Sequence, residues 1–154
     1  MSDITVGQAT AADWDDLVAL WEVCEAGAAP AEVRAGAEEA RRAWDFLRGD
    51  GFWVLLARVG GEPAGFAHVC RIPKADSRRG HLYVDELFVH PAHRRKGVAM
   101  ALLNHAAELS RELGLAGVRL LVRPENAAAR ALYRKAGFQE HPAILCQREL
   151  RQNP

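Results

Sequence analysis

The apolar positions of this chain change period several times, and each change marks a predicted element. Asp3 to Gln8 alternate well enough to predict a first strand. Trp14, Leu17, Trp21 and Cys24 then recur at helical spacing, behind a Thr10–Asp13 pair that reads as a capping box. The spacing predicts a helix over residues 11–26, ended by Gly27. Pro30 can sit in the first turn of a second helix, with Val33, Ala37, Ala40, Trp44 and Leu47 as its stripe and Gly49-Asp50-Gly51 as its stop. Phe52 to Val59, a Gly60-Gly61-Glu62 turn and Pro63 to Ile72 predict a β-hairpin, followed by a charged loop from Pro73 to Gly80.

Leu82 to Val89 (LYVDELFV) predicts a strand, and Val98 to Leu113 a helix with Val98, Leu102, Ala106, Leu109 and Leu113 inward. Gly114 closes that helix, and Gly117 to Val122 predicts another strand. Asn126 suits the cap of a helix over Ala127 to Ala136, which Gly137 ends. A short strand from Phe138 and a last one over Ile144 to Leu150 complete the order β-α-α-β-β-β-α-β-α-β-β. That order predicts an α/β (α+β) fold, a mixed sheet covered by helices.

Composition narrows the class. At 154 residues, 49% hydrophobic and 26% charged, the chain reads as one globular domain spanning residues 1–154. Twenty basic side chains balance twenty acidic ones, so no global charge points to nucleic acid or an anionic membrane. No apolar run approaches the ~20 residues of a membrane span. MSDITVGQAT has neither the basic region nor the apolar core of a signal peptide. Cys24, Cys70 and Cys146 show no metal or redox spacing, and the odd count fits reduced thiols. The expected location is the cytoplasm. His90 and His93 stand three apart with no partner at zinc spacing, so no metal is expected.

The turn HPAHRRKG lies between a strand and a helix. A helix start there leaves several N–H groups unpaired at the positive end of the dipole, which suits a phosphate. Gly97 and the basic residues read equally well as turn chemistry and a solvated face. An acidic pair, Asp85-Glu86, inside an apolar strand is costly unless it faces a cleft or finds partners. For each, a surface residue paired with a neighbouring arginine is the plainer alternative. Strand alternation points the two to opposite faces unless a bulge rotates one.

Two blocks together carry a family resemblance. Arg94, Gly97 and Ala99 fit the pattern [Q/R]-x-x-G-x-[G/A], and Asn126, Ala129, Tyr133, Gly137 and Phe138 fit N-x-x-A-x-x-x-Y-x-x-x-G-F. In this order and context the chain resembles the GNAT N-acetyltransferase superfamily. The resemblance implies a mixed, mostly antiparallel sheet with a splayed strand pair and helices on both faces. It implies acetyl-CoA as co-substrate, its pyrophosphate on the backbone N–H groups of Arg95, Lys96, Gly97, Val98, Ala99 and Met100, with Arg94 in the same cofactor-binding turn. Its pantetheine arm would lie along Leu87, Phe88 and Val89 and near Asn126 and Ala129.

Within the resemblance, the Val89 N–H would polarise the thioester carbonyl and Tyr133 would serve the departing sulfur as general acid. YVDELFV also resembles the corresponding strand of polyamine acetyltransferases, which places Asp85 as the amine's base and Glu86 beside a cationic substrate. The basic loop with Lys74, Arg78 and Arg79 sits awkwardly with a polycation. Trp21, Glu22 and Glu25 fall where the family builds its acceptor pocket, though the spacing of Trp21 also suits the core. The expected partner is a small-molecule amine or a peptide amine, with a homodimer possible because relatives are often dimers. A non-catalytic CoA-binding regulatory module is the alternative from another class.

Overall fold

The computed structural model describes residues 3–25, 38, 41, 42 and 51–150. The predicted second helix, from Pro30 to Leu47, falls largely outside them; Glu38, Arg41 and Arg42 are helical and exposed. Among the described residues, five strands form one sheet in sequence order: β1 (Ile4–Gln8), β2 (Phe52–Val59), β3 (Glu62–Ile72), β4 (His81–Val89) and β5 (Val118–Leu120). The first four pair antiparallel, whereas β5 runs parallel to β4. Among the described residues, three helices with full spans accompany the sheet, besides the helical positions Glu38, Arg41 and Arg42: α1 (Trp14–Cys24), α2 (Val98–Glu112) and α3 (Ala127–Lys135).

The alternation of β2 divides the core between two faces. Leu55 and Ala57 join Val98, Leu102, Ala106 and Leu109 of α2 on one side. Val54 and Leu56 join Leu17 and Leu20 of α1, with Phe66, on the other. The inward stripe of α2 is therefore the one its spacing predicts. Before α1, Thr10 N–H donates to Asp13 Oδ2 at 2.8 Å and Thr10 Oγ1 accepts from Ala12 N–H at 3.3 Å, the expected capping box. Arg58 of β2 reaches the same turn, 2.8 Å from Asp13 and 2.7 Å from Asp16.

Two predicted strands are absent. Residues 138–150 form neither strand nor helix, and Ile144, Leu145 and Leu150 are 90%, 70% and 81% exposed. Alternation gave the pattern of a strand, but these residues have neither a ladder partner nor a covered face. β5 is also shorter than the predicted Gly117–Val122, and the sheet order ends with it.

Candidate active site

The acidic pair sits on an irregularity that decides where it points. His68 pairs with Glu86 and the next residue, Val69, pairs with Val84, which leaves Asp85 as the extra residue of a β-bulge. The alternation of β4 changes phase there. Leu82 and Val84 lie in the α2-side core, and beyond the bulge it is Leu87 and Val89 that pack against that core. Phe88 packs on the α1 side, and Glu86, two residues earlier, faces the same way. The bulge thus resolves the alternation problem, since Asp85 interacts electrostatically with Cys70 and Tyr83 while Glu86 meets His68 and Cys24.

Those contacts fix the charge states. Glu86 Oε2 lies 3.3 Å from His68 Nδ1, and Oε1 accepts from the Cys24 thiol at 3.6 Å. The His68 hydrogen bond holds the Glu86 carboxyl below its ordinary range, against the opposing effect of burial. Burial pushes the Cys24 thiol up to about 11, with the Glu86 charge adding to it. The Cys70 thiol is raised by burial and then by Asp85. Neither is a thiolate at neutral pH, so neither is primed as an acyl carrier.

Among the described residues, β4 also leaves backbone without a ladder partner on its β5 side. Its pairing with β5 covers only Leu82, Tyr83 and Val84, so the strands diverge from Asp85 onward. His90 N–H donates to Ala64 O at 2.8 Å, toward β3. By alternation, the N–H and C=O of Val89 and Leu87 point the other way, into the divergence. There Val89 O accepts from Arg94 Nε at 3.2 Å. Phe88 O faces β3 instead: a Cβ on Gly65 would stand 2.5 Å from it, so Gly65 is required for this close approach.

The basic turn then opens α2. Pro91–His93 is one 3₁₀ turn, and His90 Nδ1 accepts from Ala92 N–H at 3.1 Å, which gives His90 a capping role. Gly97 caps α2 at φ +90°, and Arg95 is left-handed as well, at φ +60°. A Cβ on Gly97 would find its nearest neighbour at 3.7 Å, so the backbone angle rather than crowding demands glycine. The first backbone bond of α2 runs from Ala101 N–H to Gly97 O, at 3.0 Å. Val98, Ala99 and Met100 N–H therefore have no acceptor within the helix, an arrangement that suits an anion, and they follow directly on the exposed residues Arg94 to Gly97.

A family model described as the acetyltransferase (GNAT) family matches residues 14–138. The chain belongs to the GNAT acetyltransferase family. An uncharacterized N-acetyltransferase of Methanocaldococcus jannaschii is 35% identical over 96 residues, covering 62% of this chain and 42% of that protein. Streptothricin acetyltransferase of Streptomyces lavendulae is 37% identical over 78 residues, 51% of this chain and 39% of that protein. The matches thus span about two fifths of these curated relatives' own length. Among solved structures, the aminoglycoside acetyltransferase AAC(6')-Iy bound to a CoA–acetylneamine bisubstrate analogue superposes with TM-score 0.78 at 20% identity, over 97% of this chain and 99% of that one. An aminoglycoside acetyltransferase from an uncultured soil sample gives 0.77 at 25% identity, over 96% and 99%.

The second GNAT block is built on α3. Asn126 Oδ1 accepts from Ala129 N–H at 3.1 Å, so Asn126 caps the helix. Tyr133 is half-buried, its ring 5.9 Å from that of Phe138, and burial raises its phenol above the ordinary value. Tyr133 lines a cavity with Tyr83, Leu120 and Phe138, on the β5 side of β4. Asp85, Glu86 and the Gly97 turn do not line that cavity. The end of α1 does approach the acids: Trp21 is edge-on to His68 at 6.0 Å, and Cys24 touches Glu86. The sequence did not single out His68 or Gly65, and Cys24 entered only as part of the helical stripe and as a free thiol; the legible signal was an imidazole inside the apolar run GFAHVC. Among the described residues, no helix is long and apolar enough to cross a membrane.

Proposed function

We propose that this protein is an acetyl-CoA-dependent N-acetyltransferase that moves an acetyl group to a primary amine by direct attack in a ternary complex. The observation that carries the reading is the strand β4, bulged at Asp85 and diverging from β5, which feeds directly into a helix start with free N–H groups. The left-handed Gly97 and the Val98–Met100 amides suit a pyrophosphate, and Arg94, Arg95 and Lys96 add positive charge around it. Leu87, Phe88 and Val89 would accompany the pantetheine arm, with Asn126 and Ala129 nearby. Acetyl-CoA would supply the activated acyl group.

The chain's own residues then have distinct tasks. An ammonium with pKa near ~10.4 costs about 4–5 kcal/mol to deprotonate at neutral pH, so a carboxylate base, directly or through water, has work to do. Asp85 is the proposed base, with Glu86 holding the cation. As the C–N bond forms, Val89 N–H stabilises the charge on the carbonyl oxygen. As the C–S bond breaks, Tyr133 O–H gives its proton to the sulfur, and the amine's second proton leaves to solvent or base.

The names of the aminoglycoside and streptothricin acetyltransferases make cationic amines the first acceptors to screen, ahead of peptide amines. A homodimer belongs to the same proposal: residues 144–150 expose three large apolar side chains, and the sheet order ends at β5. The test is release of free thiol from acetyl-CoA over a panel of polyamines, aminoglycosides, amino acids and peptides. Amine-dependent release is expected. Tight acetyl-CoA binding with no response to any amine would instead favour the regulatory-module reading.

A further inference from the structure

The Glu86 carboxylate is held at both oxygens by residues from two other elements. His68 of β3 approaches Oε2 at 3.3 Å, and Cys24 at the end of α1 donates to Oε1 at 3.6 Å. His68 is itself caged by aromatic rings: Phe66 at 5.0 Å, Trp21 at 6.0 Å and Phe52 at 6.0 Å between centroids. Its Nε2 is buried with no hydrogen-bond partner among the described residues. A proton on Nδ1 puts the donor of the ring on the carboxylate. His68 thus supplies a donor to Oε2, and Cys24 remains a thiol, so the Glu86 carboxylate keeps its own charge.

A carboxylate fixed this firmly and left partly exposed is suited to hold a cation. Glu25, at the end of α1, strengthens the field, because its carboxylate, the Cys24 sulfur and the Glu86 carboxylate lie within 4.8 Å of one another. We propose that His68 is a positioning residue which, with Cys24, clamps Glu86 as the anchor for the acceptor's ammonium group. This rests on the amine-transfer reading above and divides the acidic pair: Glu86 binds the cation, and Asp85, at the bulge, is left free to take its proton. The groups facing Glu86 are the Cys24 thiol and Glu25 carboxylate from α1, His68 from β3 and the adjoining Asp85 on β4.

His68→Phe keeps a ring in the aromatic cage and removes the donor; His68→Asn returns an N–H near the place of Nδ1. Steady-state thiol release should show the KM for the amine raised about tenfold in His68→Phe, the scale of one charge-assisted hydrogen bond, with kcat and the KM for acetyl-CoA within about twofold. His68→Asn should recover much of the loss. Without any substrate, carboxyl-carbon NMR should show the Glu86 titration midpoint higher in His68→Phe than in wild type. A fall in kcat alone, or equal rises in both KM values, would overturn the assignment. So would an unchanged Glu86 midpoint. If the wild type released no thiol with any amine while the midpoint still moved, the clamp would stand and the amine-transfer reading would fall.

Discussion

At the residue scale, the residues with most to do are not the most conspicuous ones. The run RRKG draws attention through its charge, yet on the proposed function the positive φ of Gly97 and the amides behind it would make the anion site. Replacing Gly97 by Val should therefore raise the KM for acetyl-CoA by about tenfold or more, through the cost of a left-handed β-branched residue. Lys96→Ala, which removes one exposed charge, should change it by less than about threefold. Equal, small effects would count against the amide cradle. Tyr133 is tested by kcat: Tyr133→Phe should lower it by about a hundredfold if the phenol protonates the sulfur. Because burial raises that phenol, its proton is retained through neutral and mildly alkaline pH, so the corresponding loss of rate should appear only above pH ~10.

At the scale of elements, β4 shows how much a sequence can reveal and where it stops. Its existence, its apolar ends and the oddity of Asp85-Glu86 are all legible in LYVDELFV. The bulge is not, because it depends on which residue of β3 faces which residue of β4. That register is a tertiary fact. The same limit explains residues 138–150, whose alternation suggests strands that only a neighbouring ladder could create. Gly65 belongs to this scale as well: a methyl group there would press on Phe88 O and shift the segment that leads to Val89. Gly65→Ala should lower stability by about 1–3 kcal/mol, read as a fall in Tm, and reduce kcat even in the folded fraction. Full stability and full activity would show that β4 can move away without consequence.

At the scale of the molecule, α1 is tied to the sheet at both ends. Arg58 joins β2 to Asp13 and Asp16 at its start, and Cys24 meets Glu86 at its end. The Asp13 carboxyl is held below its ordinary range, first by the Thr10 backbone N–H and also by Arg58. Its folded value is thus lower than its unfolded one. The stability it contributes is present above the unfolded value of ~3.9 and is lost as pH falls through the folded value. Arg58→Ala should cost no more than about 1 kcal/mol at neutral pH, given the partial exposure of the pair, and should flatten the acid limb of a Tm-against-pH profile. An unchanged acid limb would assign it to the Thr10 hydrogen bond on Asp13 or to other carboxylates, not to Arg58.

The central claim is that acetyl-CoA and an amine meet on β4, and thiol release with product analysis tests it most directly. The purified protein with acetyl-CoA and a cationic amine should release one free thiol for each N-acetylated amine formed, and neither at a comparable rate when the amine is left out. Thiol release that ignores the amine, or none with any acceptor despite bound acetyl-CoA, would contradict it.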